Sequence, residues 1–406
     1  MRPCLTISFP ETATQMPEIL LYQESAVLTD TVLHLVRAEV TLDTGRTHTG
    51  FGRDSDLELA QRKAISEAIE RISYRTLPAT RWSEATALPS YIGPGDLVGY
   101  LPEQYANPAF GMTPFSEDEP RHWVMMHSAV DSRTTFALAD FVCGPSAFDE
   151  PYRRKLVTHA TTSGCASGDD LTTCIERATL ELVERDAFML HWFAQVPGIS
   201  VTPATLPEAI RDRLAHLASR GATAGVQLLA LGRHPTWFIW IQHEALHFTT
   251  IGTATGFDGA TALMTAMAEA ETLALARLDG VPPVDIDPVQ VRTPADHAAL
   301  YATQSYFRQA DAICRRSAEE IGYPAARASF ISDWGTLRSQ LAAAGHPVYW
   351  TELCPPGGAP TVGSAAIHTA RALAPGLIPM SFGHGRQPAG MDQCGRTGLD
   401  LTHPFA

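Results

Sequence analysis

A mixed α/β fold (α+β in its arrangement) is predicted by three observations. Strand-length runs rich in β-branched and aromatic residues alternate with long helical patterns. Two of those helices repeat one another. The composition, 45% apolar and 18% charged over 406 residues, is that of an ordinary globular chain and argues against disorder. The length suffices for roughly two or three domain-sized units with a sizeable core.

Residues 26–42 alternate loosely around Val27, Val32, Leu35, Val36 and Val40 and read as a strand region. Gly45 and Gly50-Phe51-Gly52 mark turns. A helix is expected from Leu57 to about Tyr74, with Ala60, Ala64, Ala68, Ile69 and Ile72 on one side and Asp54 or Ser55 as its cap. Residues 98–122 carry four prolines and several acids and read as a surface excursion. Trp123–Val130 and Thr135–Val142 resemble paired strands, and Gly144 to Pro151 a loop. Asp169-Asp170 opens a second long helix, about Leu171 to Phe193. Trp237–Ile241 and Phe248–Ile251 read as strands, Ala260–Leu278 as a third helix, and Gly280 to Pro294 as a Pro-rich linker. A helix near 334–344, a strand near Val348–Leu353 and a Gly/Pro-rich tail complete the chain.

Lys plus Arg number 30 and Asp plus Glu 44, a formal charge of −14. Such a surface repels phosphate backbones, so no nucleic-acid partner is expected. No apolar run reaches the ~18 residues of a membrane span, and the N-terminus lacks a secretory pattern. Seven scattered cysteines without a CxxC suit a reducing, cytoplasmic setting.

The repeated helices read Asp56-Leu57 … Glu67-Ala-Ile-Glu70-Arg71 and Asp170-Leu171 … Glu181-Leu-Val-Glu184-Arg185, at a constant offset of 114 residues. Glutamates three apart share one helix face. Burying such like charges costs several kcal/mol, of order 3–5, unless something positive compensates. A hard divalent cation with oxygen ligands would do so, and Mg²⁺ is commonly held by carboxylates together with phosphate oxygens. Four glutamates on two facing helices would then hold Mg²⁺ against a triphosphate, with Arg71 or Arg185 on phosphate oxygens. The competing account is a solvated face of Glu–Arg pairs.

Gly50-Phe-Gly-Arg53 through Arg71, then Thr162-Ser-Gly-Cys-Ala-Ser-Gly168 through Glu181-Leu-Val-Glu-Arg-Asp186, resembles the YcaO family. Ala374-Pro-Gly-Leu-Ile-Pro379 is similar to that family's late Pro-Gly-Leu segment. The resemblance implies a YcaO-like fold with two pseudo-repeated strand–helix units flanking an ATP site. It places an ATP-binding core over residues 1–280, with similar units at about 26–97 and 120–280, and a completing part over 281–406. It implies ATP and Mg²⁺ as cofactors, with Glu67, Glu70, Glu181 and Glu184 on the metal. ATP contacts are implied for these four and for Asp169, Arg185 and Glu269. Thr265 stands where an arginine is common, and Asp169 where Asn is frequent. The family's Pro-rich tail is similar to Thr402-His403-Pro404-Phe405-Ala406, in weakened form. His403 or the carboxylate of Ala406 would then serve in proton transfer.

The implied activity is ATP-dependent activation of a peptide backbone amide. A Cys, Ser or Thr side chain of a ribosomal precursor peptide adds to the preceding carbonyl, whose oxygen takes up the γ-phosphate. Loss of phosphate leaves a thiazoline or oxazoline, as in antibiotic biosynthesis. Thioamide or amidine formation uses the same activation. The first 25 or so residues are too few for a leader-binding domain, so a ThiF-like partner protein is expected to deliver the peptide, with a flavin dehydrogenase as a further partner. Long paired helices are compatible with a homodimer. Two other classes compete: a non-catalytic scaffold, and a zinc peptidase based on His243-Glu244-Ala-Leu-His247 with Glu269 as third ligand. The aromatic, β-branched flanks of that motif favour strands with the motif as their turn. Cys165 is expected to be a small packing residue, and Trp192 and Phe193 core.

Overall fold

The computed structural model describes residues 5–7, 18–28, 31–41, 47–280, 286–317, 319–355, 358–362, 365–389 and 402–405. The chain forms two compact units built from interleaved segments: Met1–Pro94, Gly111–Thr179 and Pro347–Pro375 in the first, Gly95–Phe110, Leu180–His346 and Gly376–Ala406 in the second.

The first unit holds two sheets. One is antiparallel, in the order β1 (Leu5–Ile7), β2 (Glu18–Leu28), β3 (Thr31–Thr41), β4 (Thr47–Asp54). The strand region expected at 26–42 is therefore the end of one strand and the whole of the next. Helix α1 (Leu57–Tyr74) covers this sheet, burying Ala60, Ala64, Ile65, Ala68, Ile69 and Ile72 against Ile19, Leu21, Val36, Ala38 and Val40. Alanines let the helix backbone come close, and the strand answers with glycines. A Cβ built on Gly50 or Gly52 would stand 2.1 and 1.8 Å from the Ala64 and Ala60 carbonyl oxygens. Asp56 caps α1 by accepting from Leu59 N at 3.0 Å, in place of Asp54 or Ser55. Asp54 is engaged otherwise, accepting from Asp56 N and pairing with Lys63.

The other sheet runs β5 (Arg81–Ser83), β6 (Arg121–Ser128), β14 (Tyr349–Leu353), β17 (His368–Leu373), β8 (Cys165–Gly168), with β7 (Thr134–Leu138) also on β6. The paired strands expected near 123–142 are present, but Ala139–Val142 turns into a short helix. A small hairpin, β15 (Thr361–Val362) with β16 (Ala365–Ala366), lies apart.

The second unit is a sheet in the order β12 (Phe248–Ala254), β11 (Thr236–His243), β10 (Thr223–Leu229), β9 (Ile199–Val201), β13 (Glu320–Ile321). Helix α2 (Leu171–Ala194) starts in the first unit and enters the second at Leu180. Helices α3 (Glu208–Ser219), α4 (Gly259–Leu278), α5 (Pro294–Leu300) and α6 (Trp334–Ala343) complete the frame. Trp192 and Phe193 are core residues, as their apolar setting predicts. Of the expected linker, residues 281–285 lie outside the described residues, and Pro294 already starts α5.

Strand β12 meets α4 through Gly252, whose Cβ would lie 2.2 Å from Ala266 O and 2.6 Å from Ala270 N. Gly252→Ala must push strand and helix apart, and overpacking of this kind costs about 3 kcal/mol. Thermal unfolding of that variant is expected to shift down by several degrees, whereas Gly95→Ala, with open space around its Cβ, should leave it unmoved.

Candidate active site

In the first unit strand β4 fixes Glu67 of α1. Phe51 N donates to its Oε2 at 2.7 Å, and Arg71, one helical turn on, reaches its Oε1 at 2.5 Å. Arg71 is itself aimed by the Thr49 carbonyl at 2.8 Å and lies 5.8 Å from the Phe51 ring. Glu70 follows half-buried on the same helix. Asp169, at the entrance to α2, forms an ion pair with Arg62 of α1.

In the second unit three glutamates surround one strand end. Glu184 accepts from the Thr253 hydroxyl at 2.6 Å and from Thr255 N at 3.3 Å. Glu269 accepts from Thr253 N at 2.9 Å. Arg185 bonds Glu184 at 2.8 Å and Glu181 at 3.1 Å. Two carboxylates thus share one guanidinium, and the charge of Glu269 also acts on it. Only 12% of the Glu184 side chain is exposed, and burial, reinforced by Glu269 and Glu181 against Arg185, pushes its carboxyl up to about 7. Thr265 does not take up the role of an arginine: it is exposed and donates its hydroxyl to Thr261 O within its own helix.

The structure also reveals a match that the ExxER pattern hides. At an offset of 202 residues, Gly50, Asp56, Ala64, Glu67 and Ala68 correspond to Gly252, Asp258, Ala266, Glu269 and Ala270. Both glycines admit the helix, both aspartates cap it, and both glutamates accept from the strand N–H one residue beyond the glycine. Asp170, capping α2 through Thr173 N, and Glu181 supply the same Asp-to-Glu spacing a third time. A search for Gly, sixteen residues, then Glu would have found the second copy.

The chain's end is docked in the second unit. Tyr301 OH donates to Thr402 O at 2.8 Å. His297 Nε2 accepts from Gly383 N, so its proton is on Nδ1 and is donated to His403 O at 2.8 Å. His403 donates Nε2–H to Ser381 O at 2.7 Å, leaving Nδ1 buried without a bonding partner. Burial, with His297 and Arg185 nearby, holds the His403 imidazole well below its usual range, hence neutral. Phe405 packs on Phe188 and lies 4.0 Å from the Arg185 guanidinium carbon, face on. Ala406 lies outside the described residues.

The zinc-peptidase constellation is not formed. His243 ends β11 and Phe248 starts β12, so the motif is a hairpin turn, with His247 at φ 51°. His243 is bonded to Arg220 O and Leu246 N, and Glu244 pairs with Arg308 and Arg315. No shared helix face exists for the two imidazoles. Cys165 is buried, accepting from Arg371 at 3.3 Å, and acts in packing.

Among the described residues no three acidic, His or Cys side chains stand together as a ready metal nest. In each half, arginine draws the carboxylate oxygens to itself. The surplus of acid over base around Thr253 nevertheless fits a hard cation: Mg²⁺ takes such oxygens and would relieve the buried repulsion at Glu184. Strand–helix units that each present a glutamate at a fixed distance from an N-cap define an α/β protein with a repeated carboxylate motif.

The family model described as YcaO cyclodehydratase, ATP- and Mg²⁺-binding, matches residues 51–378. The chain belongs to the YcaO family, and its cofactors are ATP and Mg²⁺. No curated protein matches it. Among solved structures it is similar to a heterocyclase in complex with substrate and cofactor (16% identity, TM-score 0.69, 95% of this chain and 54% of that one). It is also similar to YcaO from Methanopyrus kandleri bound with AMPPCP and Mg²⁺ (14% identity, TM-score 0.60, 88% and 85% covered). A third is the E. coli microcin synthetase McbBCD complex (12%, TM-score 0.62, 91% and 91%). The chain spans about half the length of the first two heterocyclases it matches. These likenesses fix the fold. Among the described residues no helix is long and apolar enough to cross a membrane.

Proposed function

We propose that this chain is an ATP-dependent peptide-backbone cyclodehydratase, forming thiazoline or oxazoline from Cys, Ser or Thr of a ribosomal precursor peptide. The observation that carries the reading is the cluster of Glu181, Glu184 and Glu269 around Thr253 and Arg185. When bound, ATP supplies the phosphoryl group that makes the amide oxygen a leaving group, and Mg²⁺ offsets its charge. The residues of the chain position and neutralise. Glu67, Glu70, Glu181 and Glu184 are proposed to hold Mg²⁺, and Glu269 to contact ATP. Arg185 is proposed to turn from its carboxylates toward phosphate oxygens when the metal takes those carboxylates over. His403 works by docking the tail, because its imidazole is too weakly basic in that setting to take a proton near neutrality.

A leader-binding partner, a flavin dehydrogenase acting afterwards and a cytoplasmic site of action belong to the same proposal. The test is mass spectrometry of a Cys/Ser-rich precursor peptide incubated with the chain, its partner, ATP and Mg²⁺. Each ring formed removes about 18 Da, whereas oxygen-to-sulfur exchange in the same activation scheme adds about 16 Da. An unchanged peptide with intact ATP would refute the assignment.

Asp169 brings a negative charge beside the proposed triphosphate, and Arg62 compensates it. Arg62→Ala is expected to raise the KM for ATP several-fold, and Arg62→Ala with Asp169→Asn to return it toward the wild-type value. Steady-state kinetics with varied ATP reads both.

A further inference from the structure

Strands β14 and β17 place Glu352 and His368 on one face of the larger sheet of the first unit: Glu352 is opposite Ala370, which is two residues from His368. Their side chains meet, Nδ1 to Oε1, at 2.6 Å, and each is about one-third exposed (31% and 33%). A carboxylate only accepts, so the proton is on Nδ1, and the neutral ring presents the bare Nε2 lone pair outward. Among the described residues Nε2 meets no hydrogen-bond partner.

This pair borders the entrance to α2. His368 is the register partner of Gly168, the residue before Asp169. The Cys174 thiol, in the first turn of α2, donates to His368 O at 3.6 Å. Burial pushes that thiol up to about 11; Arg177 opposes, while Asp170, Glu70 and Glu352 add to the rise. Glu70, one of the proposed metal glutamates, and the dyad thus act on the same sulfur from two elements. The charged groups acting on the imidazole are Glu352 on β14 and Asp170 at the start of α2, while Arg177 and Glu70 act on the neighbouring Cys174 thiol.

We propose that His368, oriented by Glu352, is the base that takes the proton from the substrate's Cys, Ser or Thr side chain. The inference rests on the cyclodehydratase reading and adds a catalytic residue to it. As the Sγ or Oγ lone pair bonds to the carbonyl carbon, the S–H or O–H proton passes to Nε2 and the carbonyl π pair moves to oxygen. That oxygen later leaves with the transferred phosphoryl group as phosphate, and the amide N–H proton is released as C=N forms. The geometry suits this role because the dyad sits on paired strands, which hold a base more rigidly than a loop does.

The test compares wild type, His368→Gln and Glu352→Gln, each with partner, precursor peptide, ATP and Mg²⁺. His368→Gln is expected to lower kcat for peptide dehydration by about 10²-fold, with the KM for ATP within about twofold, and added imidazole should restore part of the rate. Glu352→Gln should lower kcat by a smaller factor, on the order of tenfold, since it costs orientation alone. Wild-type rates in a folded His368→Gln variant overturn the proposal. Should that variant not fold, an unchanged kcat in Glu352→Gln overturns it equally. A wild-type chain that never dehydrates peptide instead refutes the cyclodehydratase reading, and the two failures are thereby separate.

Discussion

Glu184→Gln is expected to abolish ATP-dependent turnover, by about 10²-fold or more, while making the free protein more stable. The carboxyl is pushed from 4.5 to about 7 by burial and by its acidic neighbours. A raised carboxyl binds its proton more tightly when folded. Its favourable contribution is therefore complete below about 4.5 and is lost as pH rises to about 7. At about 1.4 kcal/mol per unit, the ionised side chain costs on the order of 3 kcal/mol above neutrality. Gln keeps the shape and can still accept from the Thr253 hydroxyl, but carries no charge. Thermal unfolding at pH 8 should rise for Glu184→Gln, and the gain should shrink at pH 5. Added Mg²⁺ with ATP should stabilise the wild type and not the variant. Unchanged turnover in this variant would remove Glu184 from the site. Stability given up for a charge that only a ligand relieves is the signature of a functional carboxylate.

Deleting Thr402–Ala406 has the second large effect. The deletion leaves Tyr301 OH and His297 Nδ1–H without acceptors inside a core, and each orphaned donor costs about 1–3 kcal/mol. It also removes the buried Phe405 ring, of order 2 kcal/mol, and with it the aromatic face beside Arg185. The deletion should lower the unfolding temperature by several degrees or more, and turnover by at least about tenfold through loss of Arg185 positioning. Phe405→Leu separates the two effects. It keeps an apolar group in the pocket, so stability should change little, yet the cation–π contact is gone and kcat should still fall. A tail that acts only in stability would give Phe405→Leu full activity.

Much of this was legible in the residues. The helical spacing of small and apolar residues gave α1, α2 and α4 within one or two residues, because small side chains at helical spacing announce a face that must meet a sheet closely, although the cap of α1 is Asp56 and not Asp54 or Ser55. The ExxER pair at offset 114 singles out Glu67, Glu70, Glu181 and Glu184 as the proposed metal glutamates, because motif and spacing coincide. The kinship of Glu67 with Glu269 does not show in the ExxER pattern, only in the Gly-to-Glu spacing. The α4 helix reads Glu269-Ala-Glu271-Thr272, and its second glutamate turns to the buried Arg213 instead, which breaks the pattern. The contacts of α5 with the tail left no trace in the sequence, since Tyr301 and His297 meet Thr402 and His403 a hundred residues away. Interleaving of the two units was hidden for the same reason. Local patterns report which face is buried, not which distant segment covers it. The dyad of Glu352 and His368 depends likewise on the antiparallel register of two strands that neither residue specifies alone.

Glu67, Glu184 and Glu269 are each proposed to serve the binding of Mg²⁺–ATP. The most direct measurement is the binding of ATP with Mn²⁺, a paramagnetic substitute for Mg²⁺, by titration of the wild type and of Glu67→Gln, Glu184→Gln and Glu269→Gln. The account predicts that every one of the three variants weakens binding by at least about tenfold, or about 1.4 kcal/mol. Wild-type affinity in Glu67→Gln, or in both Glu184→Gln and Glu269→Gln, would contradict it.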